Sequence, residues 1–224
     1  MTKPTRLKSW SYSTLKSYKQ CPLKVKFNKI DGIKDPGSAA MDRGNEIHKE
    51  AEDYIREAQK VLPASLKLFE KEFKQLAKAN AVPEEEVAFN KNWEPVAWAV
   101  GWVRAKIDVY FKRKGRKGTT EMTIIDYKTG KVYEENKKQL SFYALLGFIL
   151  HPEVSIINVE LWYLDQGPAV THCDTYSREE MEDMRAAWDY EVQNMMADDI
   201  FAPRPGYYCK WCFYSKNKNG NCIY

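Results

Sequence analysis

An acid and an amine lie two residues apart at the end of an apolar stretch, in Thr123-Ile124-Ile125-Asp126-Tyr127-Lys128-Thr129-Gly130. The two isoleucines and the glycine predict a short strand that leaves a core and ends in a turn. Side chains alternate between the faces of a strand, so Asp126 and Lys128 point the same way. A carboxylate binds a hard cation, and a nearby ammonium orients a water or stabilises negative charge. The pattern indicates metal-assisted hydrolysis, and a surface ion pair is the alternative.

A second carboxylate, Asp108, lies in the segment before this strand. Residues 98–111 are typical of a long strand or hairpin arm, in which Asp108 faces away from its two apolar neighbours. The basic run 112–117 and the glycine after it predict a turn, and residues 121–128 predict the returning strand. Because a turn joins the two strands, Asp108 can lie close to Asp126.

Two predicted helices carry further polar candidates. Residues 39–60 have a helical pattern that places Gly44 and His48 one turn apart on one face. A glycine inside a helix costs roughly 1 kcal/mol relative to alanine, which indicates close approach by another backbone or a ligand. His48 is thus a candidate metal ligand, with a structural histidine as the alternative. Residues 134–150 project Gln139 and Tyr143 from one face, which could also be an ordinary exposed edge.

Composition indicates a folded protein, since 44% of the 224 residues are hydrophobic and 13% are aromatic. This length supports one domain with a sizeable core. No apolar run approaches the ~20 residues that span a bilayer, and the N-terminus lacks the apolar region of a secretory signal. We therefore expect a cytoplasmic protein without a membrane partner. The net charge of +4 permits a polyanionic partner without proving one.

Five cysteines in a reducing compartment indicate thiols or metal ligands rather than disulfides. Cys209 and Cys212 have Cys-x-x-Cys spacing, and Cys222 follows them. This group is one thiolate short of a four-cysteine site, for which Cys21 is the candidate. Cys173 is left over as a strand residue. A [4Fe-4S] cluster and a structural Zn²⁺ are both chemically allowed, and unliganded thiols are the alternative.

The order of the polar motifs resembles the RecB-like branch of the PD-(D/E)XK nuclease superfamily. The matching motifs are Gly44-x-x-x-His48, Glu86, Asp108, Asp126-Tyr127-Lys128 and Gln139-x-x-x-Tyr143. The cysteines, with the opening Ser-x-Ser-x-Leu and Cys-Pro, are similar to iron-sulfur members such as the AddB nuclease domain and CRISPR-associated adaptation nucleases.

The resemblance implies an α/β fold with a restriction-endonuclease-like core, in which helices flank a central mixed β-sheet. It implies a single nuclease domain with three parts. They are an N-terminal helical segment at 1–35, a nuclease core at 36–200 and a cysteine-rich tail at 201–224. The two terminal segments would join at the cysteine metal site.

The resemblance also implies a role for each site residue. Mg²⁺ or Mn²⁺ would be held by four groups: His48, Asp108, Asp126 and the main-chain carbonyl of Tyr127. Glu86 would complete the shell through a water or a second ion. Lys128 would position the attacking water and offset charge on the phosphorus. Gln139 and Tyr143 would lie beside the site and hold the DNA strand or the lysine.

The expected function is that of a metal-dependent DNA exonuclease in phage or bacterial recombination and DNA processing. Its phosphate contacts would come from the basic run, namely Lys112, Arg113, Lys114, Arg116 and Lys117, although such a run is often only a solvated hairpin tip. Tyr143 would stack on unpaired bases. The alternatives are a CRISPR adaptation nuclease that trims DNA ends and a non-catalytic DNA-binding module. A homo-oligomer and a recombination partner protein are left open.

Overall fold

The computed structural model describes residues 5–224, apart from the side chains at positions 117 and 135. The chain divides into two compact units. The sheet unit is Ser38–Ala187, and the terminal unit comprises the residues up to Gly37 together with Trp188–Tyr224. The predicted segments 1–35 and 201–224 both fall in the terminal unit. None of the described helices is long and apolar enough to cross a membrane.

The sheet unit is built on a five-stranded sheet in the order β1-β2-β3-β4-β5. The strands are β1 (Val82–Phe89), β2 (Val103–Lys114), β3 (Thr120–Lys128), β4 (Val154–Tyr163) and β5 (His172–Ser177). The central pair β3 and β4 is parallel, and the other neighbours are antiparallel. Since a parallel pair needs a crossover connection, the helix between β3 and β4 follows from this topology.

Six α-helices accompany the sheet in the described chain. They are α1 (Tyr12–Gln20), α2 (Pro22–Val25), α3 (Ala39–Ile55), α4 (Glu70–Lys78), α5 (Lys138–Leu150) and α6 (Met181–Ala197). The expected α/β class, with a mixed sheet flanked by helices, is confirmed. The helix predicted at 134–150 begins with a 3-10 turn, Glu134–Lys137, before α5, and the helix predicted at 39–60 ends at Ile55. A capping box of Ser177 and Glu180 starts the 3-10 turn that leads into α6.

Helices cover both faces of the sheet. On one face, α3 buries Ile47, Ala51 and Ile55 at helical spacing, in a cluster with Phe73 and Trp162. On the other face, α5 is apolar nearly all round and packs on β3 and β4. A Cβ at Gly147 in α5 would lie 2.7 Å from Ile157 Cδ1 and 2.9 Å from Ile124 Cδ1. The glycine therefore lets this helix approach the central strands closely.

The basic run does not form the turn as a whole. Strand β2 continues through Lys114, and the turn spans 115–119, closed by a bond from Gly115 N to Thr119 O at 2.9 Å. Lys112 and Arg113 belong to the strand because they pair with Met122 and Glu121 of β3, and carboxylates lie beside their side chains. Their partners are Glu153, 2.9 Å from Lys112 Nζ, and Glu121, 3.0 Å from Arg113 Nε.

In the terminal unit, segments from the two ends of the chain pack together. Ser11 caps α1 by accepting a bond from Thr14 N at 3.3 Å. Tyr18 Oη in α1 donates to Asp198 Oδ2 at 2.6 Å, and Tyr214 Oη donates to the carbonyl of Ile33 at 2.7 Å. These bonds link residues about 180 positions apart in the sequence. The unit is therefore held by contacts between N- and C-terminal segments.

Arg178 fixes the end of α5 to the start of β4. Its guanidinium donates to the carbonyls of His151 at 2.6 Å, Val154 at 2.7 Å and Phe148 at 3.2 Å, and it lies over the Phe148 ring. Carbonyls at a helix C-terminus lack partners within the helix, and a cation there is favourable. Arg178 supplies both the donors and the charge.

We expect Arg178→Met to lower the free energy of unfolding by about 2 kcal/mol, because three carbonyls lose a charged donor. Urea titration followed by circular dichroism measures the change. Arg185→Met is the matched control, since Arg185 makes only a partly exposed pair with Glu182 at 3.5 Å. Equal losses of stability in the two variants would contradict the role of Arg178 in joining α5 to β4.

Candidate metal and catalytic site

Strand register brings three carboxylates together. Val109 pairs with Ile125 across β2 and β3, so Asp108 lies opposite Asp126. Across β1 and β2, the residues on either side of Glu84 pair with those on either side of Asp108, so Glu84 also lies opposite Asp108. Residues directly opposite in a sheet share a face, and the three acids therefore converge.

Helix α3 adds an imidazole to this group. His48 Nδ1 lies 3.3 Å from Asp108 Oδ1 and 3.9 Å from Glu84 Oε1. One ligand atom from each of these three residues lies within 4.8 Å of the others. Carboxylate oxygens suit Mg²⁺ and Mn²⁺, and imidazole suits several divalent metals. The donor set therefore fits a divalent cation.

Glu84 takes the place that sequence reasoning gave to Glu86. Glu86 is exposed and pairs in the sheet with Lys106. Glu84 has a φ of +55°, which is uncommon for a residue other than glycine. Its side chain also forms an ion pair with Lys106. The sequence has three adjacent glutamates here, and the register of β1 against Asp108 was needed to select one of them.

A chain of polar contacts links Lys128 to Asp126. Lys128 Nζ forms an ion pair with Asp126 and donates to Gln139 Oε1 at 3.0 Å. Gln139 Nε2 donates to Tyr143 Oη at 2.8 Å, and Tyr143 Oη donates to Asp126 Oδ1 at 2.9 Å. Helix α5 thus holds both members of the acid–amine pair. Asp108 Oδ2 accepts from Tyr127 N at 2.7 Å, which fixes the backbone of β3 beside the site.

The pKa values of Glu84, Asp126 and His48 are all raised, for different physical reasons. Burial raises the pKa of Glu84, and the charge of Asp108 adds to this effect while Lys106 opposes it. Burial also raises the pKa of Asp126, with Lys128 opposing and Asp108 adding. For His48, burial lowers the pKa, but the hydrogen bond with Asp108 and three nearby carboxylates produce a net increase. A divalent cation would offset this excess of negative charge.

A carboxylate outside this group fixes the loop after Lys128. Asp165 receives a bidentate contact from Arg43, with N–O distances of 2.9 and 2.6 Å. Asp165 Oδ2 also accepts from Gly130 N at 2.6 Å, where φ is +82°. Arg43 lies in α3 near His48, so this contact ties the histidine's helix to the loop beyond the lysine. Gly44 lies beside it, where an added Cβ would be 3.4 Å from Thr129 Oγ1, an ordinary contact distance. Sequence reasoning missed Arg43 and Asp165, for which only the turn glycine gave a signal.

The basic side chains predicted to contact nucleic acid differ in their partners. Lys112, Arg113, Lys114 and Arg116 are all exposed, and Lys112 and Arg113 also form ion pairs with carboxylates. The Lys117 side chain lies outside the described part of the chain. Tyr143 is only 5% exposed, and its hydroxyl contacts Asp126. Its ring therefore packs within the protein, which differs from the expectation that it stacks on bases.

Four cysteines of the terminal unit line one cavity of about 180 Å³, namely Cys21, Cys209, Cys212 and Cys222. Burial raises the pKa of the Cys212 thiol, and the neighbouring Cys21 and Cys209 add to this increase. No three of these sulfur atoms lie within 4.8 Å of one another in the described chain. Cys173 is exposed in β5, in the sheet unit.

Comparisons with known proteins agree with this geometry at the level of the family. The family model of the PD-(D/E)XK nuclease superfamily matches residues 9–216. Among solved structures, the crystal structure of SSO0001 is similar, with a TM-score of 0.41 and 16% identity over 96% of this chain and 86% of that chain. No curated protein sequence matches. Because the family model covers nearly the whole chain, this protein belongs to the PD-(D/E)XK nuclease superfamily.

Proposed function

We propose that this protein is a Mg²⁺- or Mn²⁺-dependent deoxyribonuclease that digests DNA from its ends. The observation that carries the proposal is the convergence of His48, Glu84 and Asp108 beside the ion pair of Asp126 and Lys128. Phosphodiester hydrolysis needs an activated water and stabilisation of negative charge, and these groups suit both needs. A purely DNA-binding module would have no use for a buried set of ligands and an amine.

The metal would be bound by His48, Glu84 and Asp108, with Asp126 and the Tyr127 carbonyl completing the set. When bound, the cation would polarise the phosphate and lower the pKa of a water. Lys128 would orient that water and offset charge that develops on the phosphate oxygens. The resemblance implied that Glu86 completes the ligand shell of the metal, and we propose Glu84 as a ligand in its place.

Two residues of α5 would position this chemistry without touching the reacting atoms. Gln139 accepts from Lys128 Nζ and donates to Tyr143, which in turn donates to Asp126. This chain restricts the lysine to one position relative to the carboxylate. Catalysis depends on placement of this kind, since small displacements of a reacting group cost large factors in rate.

The DNA substrate is supported by chemistry rather than by a contact seen in the structure. Exposed Lys114 and Arg116, together with the net charge of +4, suit a phosphate backbone. We place the activity in recombination or DNA processing in a bacterial cell, in a phage or bacterial protein. Digestion of linear but not circular DNA would support the exonuclease assignment.

We propose further that the four cysteines of the terminal unit hold a [4Fe-4S] cluster. A zinc ion would need sulfurs about 2.3 Å from one point, and therefore close to one another. The described thiols are more widely spaced and surround a cavity of about 180 Å³. A group of several atoms suits this arrangement better than a single ion, and it would join the two ends of the chain.

We expect Lys128→Met to lower the rate of DNA hydrolysis by about a hundredfold or more, because charge stabilisation in the transition state is lost. The assay follows end-labelled linear DNA and circular DNA with Mg²⁺, and again with a chelator. Lys131→Met is the matched control, since Lys131 is an exposed lysine three positions away. Equal digestion by wild type and Lys128→Met would reject the catalytic assignment.

Glu84→Gln should weaken Mn²⁺ binding by about tenfold or more, because a neutral amide replaces a charged oxygen ligand. Glu86→Gln, two residues away in the same strand, should leave the affinity unchanged. Isothermal titration calorimetry with Mn²⁺ alone measures both variants without reference to activity. If Glu86→Gln is the variant that loses affinity, the assignment of Glu84 is wrong.

Protein purified without oxygen should be brown and contain iron and sulfide, because thiolate-to-iron charge transfer absorbs visible light. Cys21→Ser should lose this colour, whereas Cys173→Ser should retain it. Iron, zinc and sulfide analysis together with the visible spectrum measures the outcome. Colourless protein with stoichiometric zinc would reject the cluster.

A further inference from the structure

Three exposed aromatic side chains lie in one 3-10 turn of the terminal unit, Tyr207–Trp211. Tyr207, Tyr208 and Trp211 are 69%, 61% and 56% exposed. Aromatic side chains of this size normally bury most of their surface, and an exposed group of them marks an interaction site. The core of the unit is formed by other aromatic side chains, including Trp10, Phe201 and Tyr214, which are buried. The three exposed rings do not belong to this core.

The rings of Tyr207 and Trp211 and the ammonium of Lys210 form one cluster, which we call the platform. The centroids of Tyr207 and Trp211 are 4.5 Å apart with an angle of 72° between the ring planes. Lys210 Nζ lies 3.6 Å from the Tyr207 centroid and 4.3 Å from the Trp211 centroid. A single ammonium therefore contacts both rings, which restrains them by cation–π attraction.

The cysteines flank this platform in the sequence and steady its backbone. Gly206 N donates to Cys209 Sγ at 3.3 Å, and Cys212 N donates to the Cys209 carbonyl at 3.1 Å. Tyr208 and Trp211 also line the cysteine cavity. The platform therefore shares its turn with Cys209, whose contacts restrain the local backbone, and a restrained site loses little conformational freedom on binding.

The two sequence segments that supply the cysteine cavity are rich in basic residues, two of which form ion pairs, Lys19 with Glu191 and Lys26 with Asp31. The segment 201–224 contains Arg204, Lys210, Lys216 and Lys218 and no aspartate or glutamate. The segment 12–30, which contributes Cys21 to the same cavity, has five lysines and no acid. Lys24 from this segment lines the cavity beside Tyr208. Exposed aromatics combined with a positive surface are the features that bind single-stranded nucleic acid.

We propose that Tyr207, Lys210 and Trp211 form a binding site for single-stranded DNA, with unpaired bases stacked on the rings and phosphates near the lysines. This site belongs to the terminal unit and is separate from the residues assigned to catalysis. The proposal rests on the proposed function in one respect, namely that DNA is the substrate. It adds that the enzyme binds the unpaired strand of its substrate through the tail.

The test measures binding in the Lys128→Met background, so that DNA is not digested. Fluorescence anisotropy with a labelled oligothymidylate gives the affinity for a single strand, and a blunt duplex of equal length gives the comparison. Combining Tyr207→Ala and Trp211→Ala should weaken single-strand binding by about tenfold or more, given the value of base–aromatic stacking. Duplex binding should change less. Tyr190→Ala is the control, because Tyr190 is 73% exposed in α6, outside the platform.

A second pair of substitutions guards against loss of structure near the cysteines. Tyr207→Phe with Trp211→Phe keeps both rings, so single-strand affinity should stay within about threefold of the parent. Visible absorbance and urea unfolding of every variant report on the terminal unit. The proposal is overturned if the double alanine variant binds the single strand as the parent does, or if the phenylalanine variant is intact but loses affinity. The first result would direct attention to a protein partner for the platform.

This outcome is separable from failure of the proposed function. If the platform assignment alone is wrong, wild-type protein still digests DNA with Mg²⁺ while the double alanine substitution leaves single-strand affinity unchanged. If the nuclease assignment alone is wrong, digestion is absent while affinity still depends on the two rings.

Discussion

The site centres on Asp108, whose negative charge repels the carboxylates that the sheet places on the two neighbouring strands. Glu84, Asp108 and Asp126 lie opposite one another on three adjacent strands, and two of them are held with raised pKa values by burial and like charge. Such a cluster costs folding free energy unless positive charge offsets it. Lys106 and Lys128 supply part of that charge from the edges. The remainder is what a divalent cation would provide.

The layers around the sheet explain how this unfavourable cluster is maintained. Helix α3 packs on one face and supplies His48, while α5 packs on the other and supplies Gln139 and Tyr143. Both helices are held in place by buried apolar residues. Because the core is closely packed, the polar side chains that these helices carry are held in fixed positions at the site. Asp165 extends this support to the loop after Lys128. The site is therefore supported on each side by elements whose own positions do not depend on the metal.

Whether the sequence predicts a given part of this site depends on how far apart in the sequence the interacting residues lie. The convergence of Asp108 and Asp126 could be anticipated, because a turn joins their strands and alternation fixes their faces. The selection of Glu84 could not, since it depends on the register of β1 against β2 and on an unusual φ angle. The contact between Arg43 and Asp165 joins residues 122 positions apart and leaves no local pattern. The pairing of Cys209 with Cys212 was accessible because Cys-x-x-Cys spacing is a local signal, whereas Cys21 lies far away in the sequence and has no such local pattern.

The central claim is that one divalent cation binds where helix α3 meets strands β1 and β2. Anomalous diffraction from crystals of the full chain grown with Mn²⁺ tests it most directly. The account predicts a single strong peak between His48 Nδ1 and the carboxylates of Glu84 and Asp108. A map without a peak there, or with its Mn²⁺ bound elsewhere on the chain, would contradict the account.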